Sequence, residues 1–186
     1  MTVKDILKTS ASMIGRDDVV EYINGSVQNI GEQTMPTINL MVNLINLVIS
    51  ELSATFIPMI NSETVNVENG KIYYSKLKEN AIKIINVYDT DGRELSAKYT
   101  AEYIDVAGGK VIVEYEYAPS NYGLTDTIGY SAKDVSLSTL AYGLIAEYSI
   151  SQGCFDEAVM WHKRCVEAVT AMRKMKNVTI KGRCFV

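Results

Sequence analysis

The sequence predicts an α+β fold: an α-helical bundle with an inserted small antiparallel β-subdomain and an extended C-terminal tail. Three observations carry that expectation. Apolar residues recur at three- and four-residue spacings in the first third of the chain, as one face of a helix requires. From Phe56 to Tyr117 that period gives way to a stretch rich in Val, Ile, Tyr and Thr, punctuated by the turn dipeptides Asn69-Gly70, Asp91-Gly92 and Gly108-Gly109. The helical period then returns. The implied divisions are 1–53 for N-terminal helices, 54–120 for the β-subdomain, 121–176 for a closing helical hairpin and 177–186 for the tail.

Each element has a local reason. Thr2 and Asp5 have the spacing of a capping box and open a short helix that Gly15 stops. Asp17 and Asp18 start a second, which Asn24-Gly25 ends. Pro36 suits the first position of a longer helix, in which Ile38, Met41, Val42, Ile45, Val48, Ile49 and Leu52 make the buried stripe. In the middle, Ala81–Tyr88 and Lys110–Tyr117 are the best strands. The second alternates Val111, Val113, Tyr115 and Tyr117 against Lys110, Ile112, Glu114 and Glu116. The Gly108-Gly109 turn makes Tyr99–Val106 its expected antiparallel partner. Pro119 closes the sheet. Asp134 caps a helix with Leu137, Leu140, Ala141, Leu144, Ile145 and Tyr148 on its apolar face, and Gly153 terminates it. A last helix places Ala158, Val159, Trp161, Val166, Val169 and Met172 along its length, and so short a connection makes the pair an antiparallel hairpin.

At 186 residues and 47% hydrophobic content, the chain is expected to bury one sizeable core as one body with appendages. The most apolar run, Ile38–Leu52, is interrupted by Asn39, Asn43, Asn46, Ser50 and Glu51, which argues against a membrane span. The first fifteen residues carry no apolar core of signal-peptide length. Cys154, Cys165 and Cys184 are an odd set without CxxC spacing, as reduced cytoplasmic thiols would be. Charge is unevenly placed: five of the 18 Lys and Arg residues (Arg173, Lys174, Lys176, Lys181, Arg183) lie in a C-terminal segment without Asp or Glu. The remaining 13 face 22 acidic residues in 1–172. An acidic body with a basic tail points to an acidic partner surface or nucleic acid.

Catalytic chemistry finds little to stand on. His162 is the one histidine, so no multi-histidine metal site or Ser-His triad with a second histidine can be drawn, and packing is its expected role. Cys165, three residues on, reads as a small buried hydrophobe. Asp89 and Asp91 belong to a turn, and Glu114 and Glu116 to a solvated strand face. Neither GxxxxGK[ST] nor GxGxxG occurs, and no cofactor or metal is implied. The runner-up reading, a small carboxylate-dependent hydrolase, would need a deep cleft with converging acids. Twelve tyrosines are unusual, and Tyr73, Tyr74, Tyr88, Tyr99, Tyr103, Tyr115 and Tyr117 fall where the sheet could present them to a protein partner. Glu102, Asp105, Glu114 and Glu116 beside them disfavour a phosphate backbone.

Leu140–Arg164 (LAYGLIAEYSISQGCFDEAVMWHKR) pairs a helix of small and aromatic residues, a glycine turn, and a helix with an aromatic and basic residues. This segment resembles the C-terminal hairpin of head-to-tail connector proteins of tailed bacteriophages, and the order of parts is similar to the portal adaptors of short-tailed phages. The resemblance implies a non-enzymatic virion protein of the neck, assembled in the bacterial host cytoplasm as a ring, usually dodecameric, below the portal protein. Such a ring extends the DNA channel, passes the genome without sequence-specific binding, and offers a docking surface to tail or neck proteins. It also implies that Arg173, Lys174, Lys176, Lys181 and Arg183 supply charge, and Phe185 and Val186 an apolar anchor, for docking on the portal. A different neck or tail-completion protein is the neighbouring alternative.

Overall fold

The computed structural model describes residues 1–26, 31–131 and 133–176, with side chains as far as Met172. Helices occupy both ends of the chain and antiparallel strands its middle, which makes the protein α+β. The chain forms two compact units, Met1–Ile49 with the chain from Asn121 onward, and Ser50–Ser120. The expectation of a single body is thereby corrected: the middle segment closes on itself as two sheets and buries its own apolar cluster.

In the helical unit, α1 (Val3–Met13) begins with the capping box: Thr2 Oγ1 accepts the Asp5 N–H at 3.2 Å, and the Asp5 carboxylate accepts the Thr2 N–H at 2.9 Å. The bonds this carboxylate accepts from the Thr2 N–H and, at 2.8 Å, from the Thr2 hydroxyl hold it below its ordinary range. Gly15, at φ +70°, turns the chain into α2 (Asp17–Asn24), which Gly25 ends in the left-handed conformation. Helix α3 (Thr34–Glu51) starts two residues before Pro36. Proline therefore sits at the third helical position, where its missing N–H would have had no intrahelical partner. A π-helical turn, Leu52–Phe56, extends α3, and the stretch Thr34–Phe56 is long and apolar enough to cross a membrane by length and composition. Asn39, Asn43 and Asn46, which in the sequence argue against a membrane span, thus do not by themselves take this helix below that length and hydropathy. Ile38, Met41, Ile45, Val48 and Ile49 are buried within the protein, as in a core helix. Asn46 pins the loop before α4, because its Nδ2 donates to the Tyr122 carbonyl at 2.9 Å and its Oδ1 accepts the Tyr122 N–H at 2.8 Å.

Helix α4 (Leu137–Ser151) is capped by Ser136, whose Oγ accepts the Thr139 N–H at 3.2 Å. Asp134, the expected cap, instead accepts from Ser131 Oγ at 2.6 Å, closing the preceding turn. Leu140, Ala141, Gly143, Leu144, Ile145, Ala146 and Tyr148 are all buried, so α4 is covered on nearly every side. At Gly143 a Cβ would fall 2.7 Å from Val48 Cγ1 and 3.4 Å from Cys165 Sγ. Only glycine lets α3, α4 and α5 (Phe155–Lys176) meet this closely. A polar clamp ties the unit together. Arg16 forms two 2.8 Å bonds to Asp18, one of 2.6 Å to Tyr148 Oη and one of 3.1 Å to Thr37 Oγ1, while Thr34 Oγ1 donates to Asp18 at 3.0 Å.

The second unit consists of two three-stranded antiparallel sheets. One has the order β1 (Met59–Asn66), β6 (Lys110–Ala118), β3 (Asn80–Asp89); the other β2 (Lys71–Tyr73), β5 (Tyr103–Val106), β4 (Ala97–Tyr99). The expected pairing of Tyr99–Val106 with β6 does not occur. Strand β6 pairs with eight residues of β1 on one side and eight of β3 on the other, so the Gly108-Gly109 turn carries the chain from one sheet to the other. Val87, Val111, Val113 and Tyr115 from one sheet, Ile72, Ile104 and Val106 from the other, and Leu77 form the core. The alternation read along β6 is observed. Asn69 (φ +53°) and Gly70 (φ +77°) make a tight turn closed by reciprocal 3.0 Å bonds between Glu68 and Lys71. The Asp89 carboxylate accepts the Asp91 and Arg93 N–H groups at 2.9 and 2.8 Å, the local role expected of a turn aspartate.

Candidate interaction surfaces

The basic residues of the C-terminal segment divide at the end of α5. Arg173, Lys174 and Lys176 lie in its last turns, with side chains outside the described set. Lys181, Arg183, Phe185 and Val186, the rest of the predicted docking element, are outside the described residues.

What the structure does place is apolar surface that α5 fails to bury. Its inward stripe, Ala158, Cys165 and Val169, is buried, with Trp161 tilted against Tyr142 at 5.6 Å and the Arg164 guanidinium 4.8 Å over the indole. Beside it runs a second stripe with helical spacing: Phe155, 66% exposed, Val159, 70% exposed, and Val166, 38% exposed. His162 falls between Val159 and Val166 and is also exposed, so the packing role expected of it is not observed. Val159 and Val166, whose spacing around His162 looks like packing in the sequence, are exposed with it. The sequence signal for the correction is an apolar arc wider than one helix contact can cover: Phe155, Val159, His162 and Val166 at i, i+4, i+7 and i+11. Helix α3 shows a related excess. Between Met35 and Ser50 it has no charged residue, yet Asn39, Asn43 and Leu47 are exposed.

In the β unit the tyrosines divide. Tyr115 is fully buried and Tyr74 and Tyr117 pack against the core, so these three are not the presented aromatics that were expected. Tyr73 and Tyr99 remain exposed. Tyr73 meets Tyr103 edge-on at 5.8 Å, and Lys71 Nζ sits 4.3 Å over the Tyr103 ring. The Tyr115 hydroxyl donates to Glu63 and accepts from Asn61 Nδ2 at 3.0 Å and the Glu79 N–H at 3.3 Å; Glu63 also accepts the Lys78 N–H at 2.8 Å. Burial, then the bond to Glu63, pushes the phenol up from its ordinary value. Glu114 and Glu116 lie on the opposite face of β6, with Lys83 Nζ 3.9 Å from Glu116.

The same sheet has two unlike edges. Strand β3 is broken by two register shifts and carries Lys83, both devices that discourage pairing with another chain. Strand β1 runs in unbroken register with β6 from Met59 to Asn66, and no described strand pairs with its other side. Its one charged side chain, Glu63, is turned inward to Tyr115. Along this edge lies a groove of about 210 Å³ lined by β1 residues Glu63–Asn66 together with Glu68, Lys71, Ile72, Tyr73 and Lys76. Among the described residues no group of three His, Cys, Asp or Glu is placed to hold a metal ion. Compared with protein-family models and with curated protein sequences, the chain matches none.

Proposed function

We propose that this chain is a structural head-to-tail adaptor subunit of a tailed phage virion. In this reading it has no catalytic function, and it folds as a helical bundle with an inserted β-subdomain and an extended tail. Copies form a dodecameric ring below the portal in the virion neck, after assembly in the host cytoplasm. The ring extends the DNA channel and offers a docking surface to tail or neck proteins.

The observation that carries the reading is the face of Phe155, Val159 and Val166 on α5, apolar surface that a single copy leaves in water, on the helix that leads into the basic segment. Contiguous exposed apolar side chains at helical spacing favour a protein partner over solvent. Lys181 and Arg183 then supply charge, and Phe185 and Val186 an apolar anchor, for the portal. Of the carboxylates weighed for a hydrolase, Asp89 is taken up in closing its turn, Glu114 accepts from Tyr88 Oη at 3.5 Å and Glu116 lies 3.9 Å from Lys83 Nζ.

Size-exclusion chromatography with light scattering, on the full chain with and without portal protein, tests the proposal. Self-association and co-migration with portal rings are expected. A chain that stays monomeric and never joins portal overturns it.

A further inference from the structure

Helix α5 carries its apolar side chains on two adjoining stripes, and a single copy uses one of them. Ala158, Cys165 and Val169 are buried, whereas Phe155, Val159 and Val166 are exposed. With His162, the open stripe advances by four, three and four residues, the spacing of a coiled-coil seam. At 3.6 residues per turn these four positions fall within about 60° of one another around the helix, a face that one further helix covers.

The flanks of the seam show which helix. On one side stand Ala158 and Cys165, buried in the same copy. On the other stand Asp156 and Lys163, seven residues apart, both exposed, and neither has an ion-pair partner among the described residues. One is acidic and the other basic, each following a seam residue. A second α5 laid parallel and in register would set aspartate on aspartate and lysine on lysine. Laid antiparallel, it brings each Asp156 to the Lys163 of the other copy, twice, because in such a pair equivalent flanks face each other.

We infer that α5 pairs with α5 of a second copy, antiparallel about a two-fold axis beside Val159. The seam residues then match as well: Val159 meets its own equivalent, and Phe155 lies against His162 and Val166 of the other chain. The pairing goes beyond the adaptor reading and does not depend on it. A two-fold contact stops at two copies, so it is a form of the free chain that a ring below a portal has to open.

Cysteine linking tests the geometry. In a full chain carrying Cys154→Ser and Cys184→Ser, with buried Cys165 kept, Phe155→Cys, Val159→Cys or Val166→Cys is introduced singly and the protein is oxidised without portal. Val159→Cys should link to itself several times more than Glu157→Cys on the far side of α5. Phe155→Cys and Val166→Cys should not self-link, because at 1.5 Å per residue the axis leaves like positions roughly 13 and 20 Å apart along the helices. Mixed together, those two should link to each other. By light scattering, Asp156→Lys or Lys163→Asp alone should raise the dimer dissociation constant about fivefold or more, and the two changes in one chain should restore most of it. Self-links of similar yield at all three seam positions, no link above the Glu157 control, or a double variant no better than the single ones overturns the proposal. Portal is absent throughout, so the adaptor reading stands or falls separately, on co-migration with portal rings.

Discussion

The helical unit and the β unit leave different things unfinished. In the first, every described helix has its apolar stripe buried, and what remains open is side chain: Phe155, Val159 and Val166 on α5 and Leu47 on α3. In the second, the core between the sheets is closed, the exposed apolar residues are dispersed by strand alternation, and β1 ends its sheet with no described strand on its outer side. The cause is the period of the backbone. A helix satisfies its own hydrogen bonds and can spare only side chains, whereas a terminal strand of a sheet has half its backbone groups facing outward. A partner docking on the helical unit would meet apolar side chains at helical spacing, whereas the β unit offers only scattered ones.

The sharpest break in that contrast is at Tyr115, which is both core and polar hub. Tyr115→Ala removes a fully buried ring and should cost about 3–5 kcal/mol of stability in denaturant unfolding. Tyr115→Phe keeps the ring but deprives Glu63, Asn61 and the Glu79 N–H of a shared partner, for about 1–3 kcal/mol. Equal costs for the two would show that packing contributes nothing beyond the hydroxyl.

In the helical unit the corresponding test is steric. Gly143→Ala should destabilise by about 1–3 kcal/mol, because the new methyl meets Val48. Val48→Ala should recover part of that loss in a double-mutant cycle. A stabilised Gly143→Ala protein, following helix propensity alone, would refute the close approach.

The clamp around Arg16 adds a dependence on pH. Hydrogen bonds from the Arg16 guanidinium hold the Asp18 carboxyl well below the usual carboxylate range. A carboxyl depressed in the folded state stabilises it at pH values above the unfolded pKa of about 4, and that contribution disappears as pH falls below it toward the folded pKa. Arg16→Gln should cost about 1–3 kcal/mol near neutrality and less in acid. Thermal melts across that range check the sign, and a cost that grows on acidification would exclude the mechanism.

The smallest effect on folding is expected where the effect on assembly is largest. Val159→Lys should change stability by no more than about 0.5 kcal/mol, since the side chain is 70% exposed. The same change should lower self-association through the α5 face, read by light scattering as a smaller average mass at a given concentration. A large loss of stability instead would mean that this face is buried within a single copy.

How much was legible in the sequence follows from the range of the interactions involved. Thr2 and Asp5, Asn24-Gly25, Asn69-Gly70 and Gly153 act within four residues, and each does in the structure what its residue type foretells. The alternation along β6 and the apolar stripe of α3 are equally local in origin. Strand pairing is different, because two strands of similar composition compete for the same neighbour and only the closed core selects between them. The choice of β1 and β3 over β5 as partners of β6 was for that reason unreadable. So was the identity of the α4 cap, where Asp134 and Ser136 are both suitable types and the surrounding turn decides. The candidate surfaces divide along the same line. Basic charge after Arg173 is a property of the chain and is visible in one dimension. Whether Val159 lies inside or outside depends on where other helices stand, and whether β1 is an edge depends on which strands took the interior places. Local hydrogen bonding and periodicity were determined by the sequence alone; burial and edge status belong to the assembled fold, because both are defined by neighbours distant in the chain.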